Sequence, residues 1–119
     1  MASSPGLLKG YYRTRGRKNM TMRERIMQGK LFTDNCEGLP QERLEAKRRM
    51  KAFNDLDPAD LEGRQALLND IFGKKTDVWL EPPFYFGYGR HISVGDGTYI
   101  NMNCTFMDDG LIEIGKNVL

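Results

Sequence analysis

Residues 94–119 carry a six-residue repeat, which limits the possible folds more than any other feature of the chain. An apolar residue opens each hexad, and a small residue follows four places later. The apolar set is Val94, Ile100, Phe106 and Ile114, and the small set is Thr98, Cys104, Gly110 and Val118. A period of six matches neither an amphipathic helix nor an alternating strand. It is typical of a parallel β-helix, in which each hexad forms one flat wall of a coil.

This repeat makes two structural predictions. Each opening apolar side chain should point inward and stack on its equivalent in the next coil, and each small residue should lie where the interior is narrow. The repeat alone leaves one alternative open, namely two or three ordinary short strands joined by Gly, Asn and Asp turns. Parallel pairing would favour the coil, and hairpins would favour the alternative.

Three helices are predicted ahead of the repeat. The first starts after Thr21, whose spacing to Glu24 is that of a capping box, and ends near Gly29. The second has Pro40 in its first turn, where a missing N–H costs nothing, and ends near Asn54. Its apolar side comprises Leu44, Ala46, Met50 and Phe53.

The third helix is predicted to start at Asp57 as N-cap with Pro58 in its first turn, and to end at Gly73. Its buried face comprises Leu61, Leu67, Leu68, Ile71 and Phe72. Residues 20–73 should therefore form a small helical unit that packs on the C-terminal part of the chain. Residues 77–119 should begin the β-helix, and the fold class is α+β.

Residues 1–19 are interpreted as a flexible basic leader or an artefact of the sequence. They contain five basic residues and no acid, whereas the whole chain has a net charge of +2, so the rest of the chain is mildly acidic. An organelle transit peptide remains an alternative. Another is contact with single-stranded nucleic acid through Tyr11 and Tyr12 beside the arginines. We expect no nucleic-acid partner.

Composition indicates a cytoplasmic protein. No apolar run approaches the roughly 20 residues needed to cross a bilayer, and the N-terminus lacks a secretory signal. Cys36 and Cys104 lie far apart in sequence and only one histidine is present, so reduced thiols and no zinc site are expected. Asp96 and the Asp108–Asp109 pair suit Gly-rich turns better than a calcium site, so no metal is expected.

Three segments in order resemble the family of maltose and galactoside O-acetyltransferases, the galactoside members most closely. They are Lys30–Pro40 (KLFTDNCEGLP), Trp79–Gly89 (WLEPPFYFGYG) and Asn101–Gly110 (NMNCTFMDDG). The resemblance implies a left-handed parallel β-helix and a homotrimer with active sites between neighbouring subunits. It further implies transfer of an acetyl group from acetyl-CoA to a hydroxyl of a galactoside, maltose or glucose type of sugar.

The resemblance also implies the residues that bind the acceptor. Asp34 and Asp109 match carboxylates that bind sugar hydroxyls, and Arg43 matches a residue near the same pocket. Tyr99 and Asn101 match residues that line the acceptor site, with Asn101 close to the reacting centre. Carboxylates and amides recognise hydroxyl patterns by paired hydrogen bonds, and tyrosine offers an apolar face with a polar tip.

Two departures from the family pattern stand out. Gly87 occupies a position where the galactoside enzymes have a serine ligand, which puts the preferred sugar in doubt. The catalytic histidine of the family falls beyond Leu119, and His91 occupies a different position, so we expect His91 to be a surface or packing residue. The chain is therefore expected to be the acceptor half of a longer enzyme. A non-catalytic truncated paralogue, or an oligomerising sugar-binding module, is the alternative.

Overall fold

The computed structural model describes residues 20–119, and the leader predicted for residues 1–19 lies outside the described residues. The chain divides into two compact units, residues 1–42 and residues 43–119. The predicted helical segment 20–73 is thus shared between the two units. The described elements, in chain order, are α1 (Met22–Met27), α2 (Leu39–Asn54), α3 (Leu61–Phe72), β1 (Trp79–Leu80), β2 (Phe84–Phe86), β3 (Ile92–Val94), β4 (Tyr99–Ile100), β5 (Cys104–Phe106) and β6 (Ile112–Ile114).

Helix α1 begins with the predicted capping box. The Thr21 hydroxyl accepts a hydrogen bond from the Glu24 backbone N–H at 3.0 Å, and the Glu24 carboxylate accepts one from the Thr21 N–H at 2.8 Å. Met22 and Ile26 are buried on one side of this helix. Two otherwise unpaired backbone donors are therefore satisfied by side chains that lie close to each other in sequence, and the prediction from spacing is confirmed.

Helix α2 ends at Asn54 as predicted, and the Asn54 side chain explains the position of this end. Its Nδ2 donates to the Phe84 carbonyl at 3.1 Å, and its Oδ1 accepts from the Phe84 N–H at 2.9 Å. The amide thus forms two backbone hydrogen bonds to β2, as a neighbouring strand would. This contact fixes the helix end against the coil.

The predicted start of α3 is wrong. The helix begins at Leu61 with Asp60 as its N-cap, and Asp60 Oδ1 accepts from the Gly63 N–H at 2.8 Å. Asp57 instead accepts from the Ala59 N–H at 3.0 Å in the preceding turn. Both aspartates are good capping residues, and only one of them precedes the helix itself. The predicted end is confirmed, because Gly73 adopts the left-handed conformation with φ 73°.

Two leucines assigned to buried helix faces are exposed. Leu44 exposes 49% of its surface and Leu61 exposes 55%, so these two assignments are wrong. Leu44 lies two residues from buried Ala46, a spacing that puts their side chains on nearly opposite sides of a helix. Leu61 is the first residue of α3, whereas Leu68, farther along the helix, enters the core.

The six strands form three two-stranded parallel sheets, β1–β4, β2–β5 and β3–β6. The chain visits the three sheets in turn and then visits them again, which describes a coil with three walls. Each strand pairs with the strand 20 residues farther on, as Trp79 with Tyr99 and Ile92 with Ile112. Because all three pairings are parallel, the hairpin alternative is excluded for these strands.

Inward-pointing side chains stack between the two coils as the repeat predicted. The register pairs Leu80 with Ile100, Phe86 with Phe106 and Val94 with Ile114. Residues that alternate with them, such as Tyr85, face outward and are exposed. The core of this unit is completed by buried residues of α2 and α3, namely Ala46, Phe53, Leu68, Ile71 and Phe72.

The expectation of small residues at narrow interior positions holds only in part. Thr98 is fully buried, and its hydroxyl donates to the Gly115 carbonyl at 2.7 Å and accepts from the Val118 N–H at 3.1 Å. Cys104 is half-buried against the core. Gly110 contradicts the prediction, because a Cβ added there would meet no atom within 4 Å. Gly110 lies in a turn after β5 and not on a wall.

Three corners join the walls, and they position the polar side chains. The first corner comprises residues 81–83 and 101–103, the second 87–91 and 107–111, and the third 95–98 and 115–118.

Among residues 20–119, no helix has both the length and the apolar character needed to cross a membrane. The same residues contain no group of three or more His, Cys, Asp or Glu side chains arranged to hold a metal ion.

Candidate functional site

Asp108 organises the second corner. It is fully buried, and its carboxylate accepts three backbone hydrogen bonds from the preceding coil. Oδ1 accepts from the N–H groups of Gly87 and Tyr88, both at 2.8 Å, and Oδ2 accepts from that of Gly89 at 2.7 Å. Successive backbone N–H groups that converge in this way form an anion-binding concavity, which here holds a carboxylate of the protein itself. Asp108 therefore joins the two coils at this corner.

Tyr88 and His91 form a buried aromatic pair beside Asp108. Their rings stack with centroids 4.5 Å apart and an interplanar angle of 28°. His91 Nδ1 lies 2.8 Å from the carbonyl oxygen of Asp108 and 3.1 Å from that of Asp109. Because carbonyl oxygens only accept, Nδ1 must carry a proton and donate. These contacts agree with the prediction that His91 is a packing residue.

Arg43 extends this group of side chains. Its Nη1 donates to the Tyr88 hydroxyl at 3.0 Å, and its guanidinium carbon lies 5.9 Å from the centroid of the Tyr88 ring. Arg43 is therefore connected to Asp109 through Tyr88 and His91. We call these residues the second-corner cluster, comprising Arg43, Tyr88, His91, Asp108 and Asp109.

The two adjacent aspartates of the cluster differ in their availability to a ligand. Asp108 uses both carboxylate oxygens within the fold. Asp109 is half-buried, and within residues 20–119 its carboxylate has no hydrogen-bond partner. A carboxylate held in a partly desolvated position, with its acceptor capacity unused, is suited to bind hydroxyl groups. The acceptor-binding role that the resemblance implies for Asp109 stays a prediction.

Tyr99 and Asn101 lie away from the cluster, on β4 and at the first corner. Tyr99 pairs in register with Trp79, and the two side chains expose 37% and 43% of their surfaces. Asn101 Oδ1 accepts from the Met102 N–H at 2.8 Å. Neither the Tyr99 hydroxyl nor the Asn101 NH₂ group has a partner in the described part of the chain. The structure thus links Arg43 to the backbone carbonyl of Asp109 through Tyr88 and His91, and leaves Tyr99 and Asn101 at another corner.

Asp34 belongs to the first compact unit, in the loop between α1 and α2. It is half-buried. The loop is anchored at Glu37, whose carboxylate accepts from the Met22 N–H at 2.7 Å. Within this loop, burial raises the pKa of the Cys36 thiol, and the carboxylates of Glu37 and Asp34 raise it further.

The raised pKa of Cys36 leads to a test of this loop. The thiolate is the reactive form, so we expect iodoacetamide at pH 8 to alkylate Cys36 more slowly than an exposed cysteine in an unstructured peptide. Asp34→Asn should speed the reaction, because it removes a negative charge that disfavours the thiolate. Mass spectrometry of the Cys36 peptide measures the rate, and Asp57→Asn serves as the control. An unchanged rate in Asp34→Asn would contradict the predicted effect of this carboxylate.

The structural roles of Tyr88 and Asp108 were not predicted from the sequence. The only available signals were the Gly87-Tyr88-Gly89 triplet and the pair of aspartates 20 residues farther on. Gly87 also lies against Asp108, since a Cβ added at Gly87 would lie 3.1 Å from Asp108 Oδ1. A larger residue at this position would therefore crowd the buried carboxylate.

Comparison with known proteins identifies the family. Residues 25–76 match the maltose acetyltransferase hexapeptide capping motif. Galactoside O-acetyltransferase of Escherichia coli (strain K12) is 48% identical over 102 residues, which cover 85% of this chain and 50% of that protein. The chain spans about half the length of the curated relatives that it matches.

Solved structures agree with this assignment. A galactoside acetyltransferase in complex with coenzyme A matches with a TM-score of 0.76 and 47% identity, covering 82% of this chain and 49% of that chain. A maltose O-acetyltransferase from Clostridium difficile 630 matches with a TM-score of 0.77 and 33% identity, covering 82% of this chain and 53% of the other. The resemblance seen in the three sequence segments is confirmed, and the chain belongs to the hexapeptide-repeat family of the maltose and galactoside O-acetyltransferases.

Proposed function

We propose that the protein containing this chain transfers an acetyl group from acetyl-CoA to a sugar hydroxyl, and that this chain supplies the acceptor-binding part. The observation that carries the proposal is the 48% identity to galactoside O-acetyltransferase along 85% of the chain. A bound coenzyme A in a similar solved structure supports acetyl-CoA as the donor. The acceptor is proposed to be a sugar of the galactoside, maltose or glucose type.

The proposed reaction forms a C–O bond and breaks a C–S bond, while a proton passes from the hydroxyl to the thiolate. The sugar hydroxyl loses its proton as its oxygen attacks the thioester carbonyl, and the tetrahedral intermediate collapses with loss of the CoA thiolate, which takes up a proton. Asp34 and Asp109 would accept hydrogen bonds from acceptor hydroxyls, and Asn101 would position the reacting end of the sugar. Tyr99 would offer an apolar face to the ring and a hydroxyl to its edge. Arg43 would orient the acceptor from the cluster.

Proton removal is not assigned to His91. Its side chain is buried, and its ring stacks on that of Tyr88. A general base must reach the proton that it removes within hydrogen-bond distance or through one water molecule. We therefore assign this step to a histidine outside these 119 residues, as the family resemblance implies.

The proposed assembly is a homotrimer of left-handed coils with active sites between neighbouring subunits. The support comes from the placement of the site residues. Arg43 and Asp109 are linked at the second corner, whereas Tyr99 and Asn101 lie on β4 and at the first corner. A cleft between two subunits could bring a first corner of one subunit to a second corner of its neighbour. A single coil keeps these two sets on different corners.

The proposal predicts a selective loss of acceptor binding. We expect Asp109→Asn and Asp34→Asn each to raise the acceptor KM by about tenfold or more, because each removes a charged hydrogen-bond acceptor. The acetyl-CoA KM should change by less than about twofold, since neither carboxylate is assigned to the donor. Release of the CoA thiol with galactoside, maltose or glucose as acceptor measures both constants in the whole protein.

The matched control is Glu62→Gln, which makes the same change of charge at an exposed position in the first turn of α3. It should leave both constants unchanged. The site assignment is wrong if Asp109→Asn alters the acetyl-CoA KM as much as the acceptor KM. The proposed activity is wrong if the whole protein releases no thiol with any of the three acceptor classes.

A further inference from the structure

Two Asp-Gly pairs lie at corners of the coils, and the structure gives them different environments. Asp96–Gly97 lies at the third corner, and Asp109–Gly110 lies at the second. An aspartate followed by glycine is especially prone to cyclise, because glycine has no Cβ to hinder its nitrogen when that nitrogen attacks the preceding carboxyl group. Since both pairs are the same dipeptide, a difference in their reactivity must come from the fold.

Hydrogen bonds hold the Asp96–Gly97 peptide bond on both sides. The Gly97 N–H donates to the Asp77 carbonyl at 2.8 Å, and the Asp96 carbonyl accepts from the Asn117 N–H at 3.1 Å. Gly97 also has a left-handed φ of 79°, and a Cβ added there would collide with the Asn117 side chain. The Gly97 nitrogen can attack the Asp96 carboxyl group only after this turn opens, so the fold protects the pair.

The Asp109–Gly110 peptide bond is held on one side only. The Asp109 carbonyl oxygen lies 3.1 Å from His91 Nδ1, whereas the Gly110 N–H has no hydrogen-bond partner within residues 20–119. A hydrogen bond to the carbonyl draws electron density from the amide, so its nitrogen gives up a proton more readily. No atom encloses Gly110, since a Cβ added there would meet nothing within 4 Å. The Gly110 nitrogen is therefore available as a nucleophile.

The Asp109 carboxyl group is the second reactant, and it too is available. It has no hydrogen-bond partner in the described part of the chain, and both Asp109 and Gly110 are partly exposed to water. The neighbouring Asp108 differs, because it is fully buried and its carboxylate accepts three backbone hydrogen bonds. The second corner thus combines an unpaired carboxyl group with an unpaired N–H on the following glycine.

We propose that Asp109–Gly110 is a site of spontaneous isoaspartate formation. The Gly110 nitrogen attacks Cγ of the protonated Asp109 carboxyl group, and the side-chain hydroxyl leaves with the amide proton as water, which gives a succinimide. Water then adds to either imide carbonyl. Opening at Cγ restores aspartate, whereas opening at the former backbone carbonyl leaves Gly110 bonded to Cγ, which is isoaspartate.

The modification changes the charge distribution of the second-corner cluster. The carbonyl that contacts His91 Nδ1 becomes a free carboxylate, and the former side-chain carboxyl group of Asp109 becomes part of the main chain. An effect of this change on acceptor binding rests on the proposed function, because Asp109 is assigned there to the acceptor. The modification itself does not depend on that function.

Peptide mapping of the aged whole protein tests the proposal. Trypsin releases both Asp-Gly pairs in one peptide, residues 91–116, so every sample contains its own control. After incubation at mildly acidic pH, electron-transfer fragmentation locates the isoaspartate. We expect it to form about tenfold faster at Asp109 than at Asp96, because reaction at Asp96 first requires loss of the hydrogen bonds of its turn. A synthetic peptide of residues 91–116 should react at similar rates at both sites, since it lacks the fold.

Gly110→Ala supplies the matched variant. Its added Cβ hinders the attacking nitrogen and meets no other atom of the described chain, so the rate at Asp109 should fall while the rate at Asp96 and the urea midpoint stay the same. Equal rates at the two sites of the folded protein would overturn the proposal, as would an unmodified Asp109 under conditions in which the synthetic peptide reacts. An unchanged rate at Asp109 in Gly110→Ala would also contradict it. None of these measurements uses acetyltransferase activity, so they remain decisive if the proposed function fails.

Discussion

Asp108→Ala is expected to lower the free energy of unfolding by about 4 kcal/mol, because it removes the buried carboxylate that joins the two coils at the second corner. Three backbone N–H groups, those of Gly87, Tyr88 and Gly89, would lose their acceptor at once. Hydrogen bonds to charged groups are stronger than neutral ones, and buried donors left unpaired carry the full cost of desolvation. Urea unfolding followed by the fluorescence of Trp79, the only tryptophan, measures the change.

A matched control separates this buried carboxylate from a general effect of charge. Asp109→Ala removes the same charged group one residue later, where the carboxylate has no hydrogen-bond partner among residues 20–119. We expect its free energy of unfolding to stay within about 0.5 kcal/mol of the wild-type value. Asp108→Asn should fall between the two, since its Oδ1 still accepts two hydrogen bonds while its NH₂ faces the Gly89 N–H. Equal stabilities of the two alanine variants would contradict the role given to Asp108.

The same pair of aspartates marks the limit of what the sequence predicts. Asp108 and Asp109 are chemically identical neighbours, and only the coil decides which of them faces the N–H groups of the preceding turn. The capping aspartates Asp57 and Asp60 pose the same problem, and there the predicted N-cap was the wrong one of the two. Identical side chains a few residues apart are distinguished by tertiary contacts, which single-sequence patterns do not contain.

Structural features that depend on a few neighbouring residues were predicted well. The capping box of Thr21 and Glu24 and the left-handed Gly73 depend on backbone geometry within one turn. The end of α2 at Asn54 was also predicted, although hydrogen bonds to Phe84 hold it in the fold. The stacking of Val94 on Ile114 was also predictable, because a strict period places equivalent residues above each other. The predictions that Leu44 is buried and that Gly110 lies in the narrow interior were wrong, because the hydrophobicity or size of a residue does not show which neighbours face it in the fold.

The candidate site was predicted only as a set of residues, through the family resemblance. Geometry then divided the set, linking Arg43 to Asp109 through Tyr88 and His91 and leaving Tyr99 and Asn101 on another corner. No sequence pattern pointed to a role for Tyr88, because the glycines on either side of it suggest only a turn. Tyr88 contacts Arg43 through its hydroxyl and His91 through its ring. This connecting role can be recognised only when the neighbours of Tyr88 in space are known.

Gly95→Ala is the second substitution with a large expected effect, because Gly95 lies directly against the backbone of the next coil at the third corner. A Cβ added there would lie 2.6 Å from the carbonyl carbon of Gly115 and from the backbone nitrogen of Lys116. Both atoms belong to the backbone of the next coil, so no side-chain rotation can relieve the contact. The Gly95 N–H also donates to the Ile114 carbonyl at 2.8 Å, which holds the two segments together.

Separating the coils enough to fit a methyl group would strain the β3–β6 pairing, and overpacking of this kind costs about 3 kcal/mol. Gly110→Ala is the matched control, since its added Cβ meets nothing within 4 Å. It should be neutral or more stable by up to about 1 kcal/mol, because alanine reduces the entropy of the unfolded chain. Urea unfolding of both variants decides between these outcomes. If Gly95→Ala and Gly110→Ala have the same free energy of unfolding, the close approach of the coils at this corner is wrong. A methyl group placed against a rigid backbone must lower the stability.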